Sequence, residues 1–302
     1  MAVKIILNPI AGRGYGARSV PLIQQYLSEA GVDFELVQTN RCGHATELAA
    51  QAYADGFDLI VAAGGDGTSN EVLNGLMAAA ADKAEVVGTM GLLPVGSGSD
   101  FPYNVGVPGD LHAACARLAY GKPRIVDVCR VSVDGASPRY FDNTVNVGFG
   151  GLVTLEANKV KWVRGMALYL PVVLKTVFLS HPAQMTIEYG EQTTTLRSPM
   201  VCVANGPREG GGFFCNPDAQ PDDGLLDACI VRDIQRLKML ALVPHFMDGS
   251  HVGRDSVVMA RTSHVRITSP DFLVAHMDGE MLCTEAHRLD FDILPGKLRV
   301  WC

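Results

Sequence analysis

Apolar positions in the N-terminal part of the chain follow two alternating periods. Short apolar runs at residues 3–7, 33–39, 58–63 and 85–93 read as strands buried on both faces. Between and after them, residues 20–30, 45–55, 70–81 and 111–120 repeat apolar side chains at helical spacing. Three of these helical runs end at a glycine, Gly31, Gly56 or Gly121, a residue that tolerates the left-handed turn closing a helix. The βαβα order over residues 1–125 predicts a doubly wound parallel sheet. Ligands of such sheets bind beyond the carboxyl ends of the strands. Three loops fall there, at residues 8–12, 64–68 and 94–101, all rich in glycine and small side chains.

Beyond residue 125 the texture changes. Short β-branched runs appear at 125–133, 140–147, 185–189, 193–197, 199–204, 226–231, 264–269 and 290–293, most of them separated by turn residues. This predicts a mainly antiparallel β domain over 126–288, with helical inserts near 160–179 and 234–247. Gly121-Lys122-Pro123 is a plausible hinge between the two domains, and a last strand near 289–302 could return to the first.

Length agrees with two domains, since 302 residues exceed what one core commonly organises. The chain is 48% hydrophobic and 19% charged, which suits a packed soluble protein. A net charge of −7 argues against nucleic acid as the main partner, which would need a basic footprint. Arg41, Lys159, Lys161, Arg164 and Lys175 could still face an acidic membrane surface or a nucleotide. The eight cysteines form no Cys-x-x-Cys pair and no zinc-ligand spacing, so they read as buried thiols in a reducing compartment. The eight histidines show no metal-ligand spacing either, and His251 reads as a surface side chain. The N-terminus lacks the pattern of a signal peptide. The longest apolar region, 163–179, carries Arg164, Pro171 and Lys175 and makes a poor membrane span. The expected location is cytoplasmic, with reversible contact at the inner membrane face.

Candidate chemistry concentrates in Gly64-Gly65-Asp66-Gly67-Thr68-Ser69-Asn70-Glu71. Glycines between a strand and a helix let the backbone turn sharply and approach a ligand, and the N–H groups of the following helix start suit phosphate. Asp66 offers a carboxylate to a Mg²⁺ on that phosphate. Asp100 and Asp127, near predicted strand or loop ends, could converge with Asp66 on the same ion through water. Asp100 also suits a helix N-cap, and Asp127 an ordinary strand edge. Asp278-Gly279-Glu280 follows a run at 273–277 that reads as a strand. By itself Asp-Gly is a hairpin-turn signal.

Taken in order, these segments resemble the diacylglycerol kinase catalytic-domain family, which also covers sphingosine and ceramide kinases and bacterial lipid kinases. The resemblance rests on Asn8-Pro9 with Gly12, on Thr39 with Gly43-His44-Ala45, and on Gly64–Glu71. It continues in Leu93-Pro94-Val95-Gly96-Ser97-Gly98-Ser99-Asp100-Phe101, in Asp223-Gly224-Leu225-Leu226-Asp227 and in Asp278-Gly279-Glu280. The third of the family's glycine loops usually reads Gly-Thr-Gly-Asn-Asp-Phe. Here Ser97 replaces the threonine and keeps its hydroxyl, Ser99 replaces the asparagine, and Pro102-Tyr103 follows.

The resemblance implies an N-terminal nucleotide domain and a C-terminal β-sandwich, with the site in the cleft between them. It places Asn8, Ala11, Gly12 and Thr39 on the adenosine side of ATP. Gly64, Gly65, Asp66, Gly67, Thr68, Asn70, Glu71, Ser97 and Asp100 would then surround the phosphates and Mg²⁺. Asp278 becomes the expected base for a lipid hydroxyl, with Glu280 the rival. The family's structural Mg²⁺ loop would use the Asp223 carboxylate and the carbonyls of Gln220 and Leu225. The implied partners are ATP, a lipid alcohol and a transient membrane surface, with homodimerisation left open. Two other readings stand beside the lipid kinase. One is a kinase for a soluble acceptor such as NAD, which shares the Gly-Gly-Asp-Gly turn. The other is a silent nucleotide- or lipid-binding protein.

Overall fold

The computed structural model describes residues 1–80, 86–159 and 166–302. Lys161 and Arg164, part of the first helical insert at 160–165, and Ala81 and Glu85 at the ends of two predicted elements lie outside the described residues. The chain divides into two compact units, Met1–Val128 with Pro295–Cys302, and Cys129–Leu294.

The first unit contains β1 (Val3–Leu7), α1 (Ala11–Glu29), β2 (Phe34–Gln38), α2 (His44–Ala54), β3 (Leu59–Gly64), α3 (Asp66–Ala80), β4 (Thr89–Pro94), α4 (Asp100–Asn104) and α5 (Leu111–Tyr120). Its strands lie in the order β2-β1-β3-β4, all parallel. The chain's last strand adds itself to β4, also in parallel, through Arg299, Val300 and Trp301. All six residues of β3 are buried, which is why its sequence shows no polar alternation. α3 starts at Asp66, a turn earlier than the apolar period indicates. Gly65 O accepts from the N–H groups of Thr68 and Ser69, so the glycine motif is itself the helix start.

The second unit holds β5 (Pro123–Val133) from Cys129 onward, β6 (Arg139–Phe141), β7 (Thr144–Gly148), α6 (Phe149–Asn158), α7 (Met166–Leu179), β8 (Ala183–Tyr189), β9 (Gln192–Ser198), β10 (Met200–Ala204), β11 (Leu226–Val231), α8 (Arg236–Asp248), β12 (Val257–Thr262), β13 (His264–Met277) and most of β14 (Glu280–Trp301). β12-β11-β10-β7-β13 are joined antiparallel, β8 pairs with the first half of β13, and β14 pairs with β13 in both halves up to the turn that joins them. Strand residues alternate between two interiors. Val201 and Val203 of β10 pack with Val145, Val147, Ala228 and Ile230 in the sandwich core, where Phe141 meets Phe291 edge-to-face at 6.4 Å. Met200, Cys202 and Ala204 point the other way, beneath Phe149, Val153, Val177 and Leu242 of the helices.

Several elements differ from the sequence expectation, among them α1, which begins at Ala11 rather than near residue 20, and α4, which no apolar period indicates. The run 140–147 is two strands, because the N–H groups of Asp142 and Thr144 turn to the Asp278 carboxylate. α6 escapes helical spacing because Gly150 and Gly151 weaken the pattern. A Cβ on Gly151 would lie 2.7 Å from the backbone of Val274, so close approach to β13 requires glycine. β12 has no counterpart among the expected strands. Among the described residues no helix is long and apolar enough to cross a membrane.

Helices α2 and α3 meet through Gly75, where an added Cβ would stand 2.3 Å from Thr46 O and 2.8 Å from Ala49 Cβ. Alanine improves helix propensity by about 1 kcal/mol, but overpacking against a backbone carbonyl costs roughly 1–3 kcal/mol. Gly75→Ala is therefore expected to lower the urea midpoint; an unchanged or raised midpoint would show that the two helices separate freely.

Candidate active site

Parallel pairing sets the carboxyl ends of β1 to β4 side by side, and their loops are knitted together. Asn8, after β1, donates from Nδ2 to Thr68 Oγ1 at 3.2 Å, and its Oδ1 accepts from Ile10 N at 3.2 Å. This ties the first loop to the first turn of α3. Ala11 N donates to Asn8 O, and Gly12 begins a left-handed stretch, Gly12, Arg13 and Gly14, with φ of 55°, 60° and 79°. A Cβ on Gly12 would lie 2.5 Å from Val95 O, so the first and third loops touch through that glycine. Thr39 N donates to Leu7 O at 2.8 Å, extending the β1–β2 ladder to the second loop.

The Gly64–Thr68 turn and the 94–101 loop are pressed backbone to backbone. Val95 N and Gly96 N donate to Gly64 O, and a Cβ on Gly96 would fall 2.3 Å from Gly65 Cα. Asp66 Oδ1 accepts from Asp100 N at 2.9 Å and Phe101 N at 3.2 Å, so it caps the start of α4 from a neighbouring loop. Ser99, the residue at the N-cap position, makes no capping bond with its side chain. Asp100 is thereby brought to Asp66 and is buried, while Ser97 is exposed between Gly96 and Gly98. The N–H of Gly67 belongs to the first turn of α3, where no earlier helical carbonyl can accept it. Thr68 and Asn70 are buried, and Asn70 Oδ1 accepts from Asn74 Nδ2.

Glu71 has a holding role that sequence reasoning missed. Its Oε1 accepts from Gly43 N at 2.8 Å and its Oε2 from Ala45 N at 3.0 Å, which caps α2 and fixes the second loop. Spacing within one motif could not reveal a partner 26 to 28 positions away. Asp127, on β5, accepts from Gly296 N at 2.7 Å and so ties β5 to the end of β14.

In the second unit, Asp278 and Gly279 form the two-residue turn between β13 and β14, with φ of 48° and 83°. Two consecutive positive φ values suit the tight hairpin that Asp-Gly signals. A non-glycine residue in this region carries a backbone cost, held here by its surroundings. Asp278 is buried. Its Oδ1 accepts from Thr144 N at 2.8 Å and its Oδ2 from Asp142 N at 3.4 Å. Glu280 is exposed. The two acids therefore differ sharply in environment, a distinction their adjacency in sequence concealed.

The 220–225 loop has a cation that its sequence does not announce. Asp223 Oδ1 accepts from Leu225 N at 3.0 Å, and Oδ2 is paired with the Arg261 guanidinium. Arg261 also stands 3.3 Å from Asp227, its cross-strand neighbour. Gln220 is exposed. Burial drives the Asp227 carboxyl up to about 6, against the opposing pull of Arg261. His251 is wholly buried rather than a surface side chain. It stacks on Phe246 at 4.0 Å, and its Nε2 lies 3.0 Å from Cys215 O. Among the described residues no cysteine is joined in a disulfide, and Cys42 is exposed.

An α/β unit with glycine-rich loops beyond its strands, joined in one chain to a β-sandwich, defines the class by fold. Residues 2–131 match the family described as the diacylglycerol kinase catalytic domain, and residues 143–302 match the YegS C-terminal NAD kinase beta sandwich-like domain. The chain belongs to the family of diacylglycerol kinases and YegS-like lipid kinases. It is 30% identical to a Pseudomonas aeruginosa protein named "Probable lipid kinase YegS-like", covering 98% of this chain and 93% of that one. It is 28% identical to a Mycobacterium tuberculosis protein named diacylglycerol kinase, over 93% of this chain and 89% of that one. A crystal structure of a diacylglycerol kinase from Bacillus anthracis shares the fold, with a TM-score of 0.72 at 23% identity, covering 99% and 96% of the two chains.

Asp227 gives this region a pH signature. Its folded-state pKa of about 6 lies above the ordinary 3.8, so the folded protein holds the proton more tightly. Its contribution to stability is largest below pH 3.8, falls as pH rises toward 6, and is level above that. The stability difference between wild type and Asp227→Asn should shift against wild type from pH 4 to pH 6.5, read from urea midpoints of both. A difference independent of pH would mean that Asp227 ionises as it does in the unfolded chain.

Proposed function

We propose that the chain transfers the γ-phosphoryl group of ATP to a hydroxyl of a lipid alcohol, with diacylglycerol the first acceptor to test and sphingoid bases, ceramide or phosphatidylglycerol next. The observation that carries the chemistry is Asp278, a buried carboxylate fixed in orientation by two backbone N–H groups on a tight turn. A lipid hydroxyl hardly ionises alone, and a carboxylate within hydrogen-bond reach gives its proton a destination. Family membership supports kinase chemistry of this kind.

Phosphoryl transfer depends chiefly on positioning and charge neutralisation. In this reading Gly64, Gly65, Gly67 and Thr68 receive the phosphates with Ser97 at the rim. Asn8, Ala11, Gly12 and Thr39 hold the adenosine side. The glycine positions fit, because added Cβ atoms would fill the loop-to-loop contacts. The hard oxygen donors of Asp66 and Asp100 suit Mg²⁺ met through retained water. Mg²⁺ would supply neutralisation of the charge on the phosphate oxygens. Asp66 has the further role of fixing the third loop, and Glu71 that of fixing the second. At 220–225 the donor set does not fit a resident cation, since Arg261 already compensates Asp223; no step of the mechanism uses that loop. Asp127 is read as a positioning residue for the turn at Gly296.

The test is transfer of labelled γ-phosphate from ATP with Mg²⁺ to micelle-borne lipids and to soluble alcohols including NAD. Label on one lipid class is the expected result. Label only on a soluble acceptor, or none with ATP binding intact, would overturn the reading.

Asp278→Asn should lower kcat by about 10²–10⁴-fold, the usual contribution of a general base, with ATP binding preserved. It should also lower the melting temperature, because the amide NH2 faces a backbone N–H that the carboxylate accepted. Glu280→Gln should stay within a few-fold of wild type; the reverse ranking would transfer the role to Glu280. Glu71→Ala leaves two loop N–H groups without their acceptor, a loss of roughly 1–3 kcal/mol. It should raise KM for ATP about tenfold or more with a smaller change in kcat, and equal loss in both parameters would argue that Glu71 contacts the transferring group.

A further inference from the structure

The second unit gathers soft and charged donors that the lipid-kinase reading does not use. Cys202 Sγ, Cys215 Sγ and a carboxylate oxygen of Glu209 all lie within 4.8 Å of one another. Cys215 Sγ is 3.2 Å from Glu209 Oε1, and Cys202 Sγ is 3.8 Å from Oε2. Both sulfurs are buried, and the Glu209 side chain is only 13% exposed. We propose that Cys202, Cys215 and Glu209 form a zinc-binding site in the second unit.

Spacing and donor type agree with this ion. Zinc takes sulfur at about 2.3 Å and carboxylate oxygen at about 2.0–2.2 Å in a tetrahedral shell. Ligand atoms around one ion then stand roughly 3.3–3.8 Å apart. The two sulfur–oxygen distances fall at or beside that range before any ion draws the donors in. Thiolates select zinc over magnesium, so this site is chemically distinct from an ATP·Mg²⁺ site.

The surroundings are built to hold these donors. Antiparallel register sets Cys229, Cys202, Asn146 and His276 in one row across β11, β10, β7 and β13. Directly paired residues share a face of the sheet. Asn146 Nδ2 donates to Glu209 Oε1 at 2.7 Å and fixes the carboxylate. His276 Nδ1 accepts from Gly279 N, and its Nε2 stands 3.8 Å from Glu209 Oε2. Asn216 Nδ2 donates to Cys202 Sγ at 3.4 Å, a bond that strengthens when the sulfur becomes a thiolate. His251 holds the Cys215 carbonyl. Glu209 also exchanges backbone hydrogen bonds with Phe213, which closes the Gly210–Gly212 turn; Gly210 and Gly211 are exposed at its tip. Among the described residues no lysine or arginine forms an ion pair with Glu209. Enclosing a carboxylate without a strong countercharge is costly, and a bound cation offsets that cost.

The experiment titrates Co²⁺, then Zn²⁺, into the reduced, metal-stripped full chain. Wild type should develop a near-ultraviolet sulfur-to-cobalt charge-transfer band with tetrahedral visible bands. One equivalent of Zn²⁺ should bleach them. Cys202→Ser and Cys215→Ser should each abolish the charge-transfer band or lower affinity at least tenfold, and Glu209→Gln should weaken binding with the charge-transfer band retained. Cys115→Ser, in the other unit, should bind as wild type does. No charge-transfer band from folded wild-type protein would overturn the proposal. So would a band that persists in the double variant Cys202→Ser/Cys215→Ser. The spectroscopy needs neither ATP nor lipid, so its failure and that of the kinase reading are separately visible.

Discussion

The carboxyl edge of the first unit depends on one close approach between two backbones. A Cβ on Gly96 would stand 2.3 Å from Gly65 Cα and 2.5 Å from Gly65 N, so Gly96 cannot carry a side chain without moving that turn, and Gly64 O accepts from two N–H groups of the facing loop. Once this contact is made, Asp66 lies beside the start of α4 and Asn8 reaches Thr68. The loops after β1, β3 and β4 then form one body whose backbone is held by side chains from neighbouring loops. Positioning of this kind is what phosphoryl transfer asks of a protein, since little covalent assistance is available.

The same economy of side chains recurs in the second unit. Asp278 serves as turn residue and as acceptor for the N–H groups of Asp142 and Thr144, which interrupts the run at 140–147. Tight turn, broken strand and oriented carboxylate are one arrangement. Main-chain strain at φ 48° is maintained because the carboxylate and the backbone of Asp278, whose N–H donates to Thr144 O, anchor the turn at once.

Most of the architecture was legible in the sequence because its causes are local. Uninterrupted apolar runs and glycine-ended helices state the doubly wound pattern, and β-branched runs with turns state a mainly antiparallel β domain, which the family resemblance makes a sandwich. Other features were hidden because their causes are distant. Asp66 and Glu71 look like ligand-facing side chains within a motif, yet each holds another loop's backbone. Asp223 looks like an isolated loop acid until Arg261, from another strand, pairs with it. His251 looks like a surface side chain until Phe246 and the carbonyls of Cys215 and His245 enclose it. The cysteines show no metal-ligand spacing, because sheet register and a glycine turn, rather than one short segment, bring them together.

The return of β14 to β4 makes the second unit an insertion within the first. Val300 and its neighbours complete a sheet begun by Val3–Leu7, close to three hundred positions earlier. During synthesis β4 therefore waits with its partner edge open while the whole sandwich is made. A strand edge left open is a template for wrong pairing. The order of events on the ribosome is accordingly constrained: the inserted unit has every contact it needs before the enclosing one does. The enclosing unit closes on contacts of very long sequence separation, which form late and slowly.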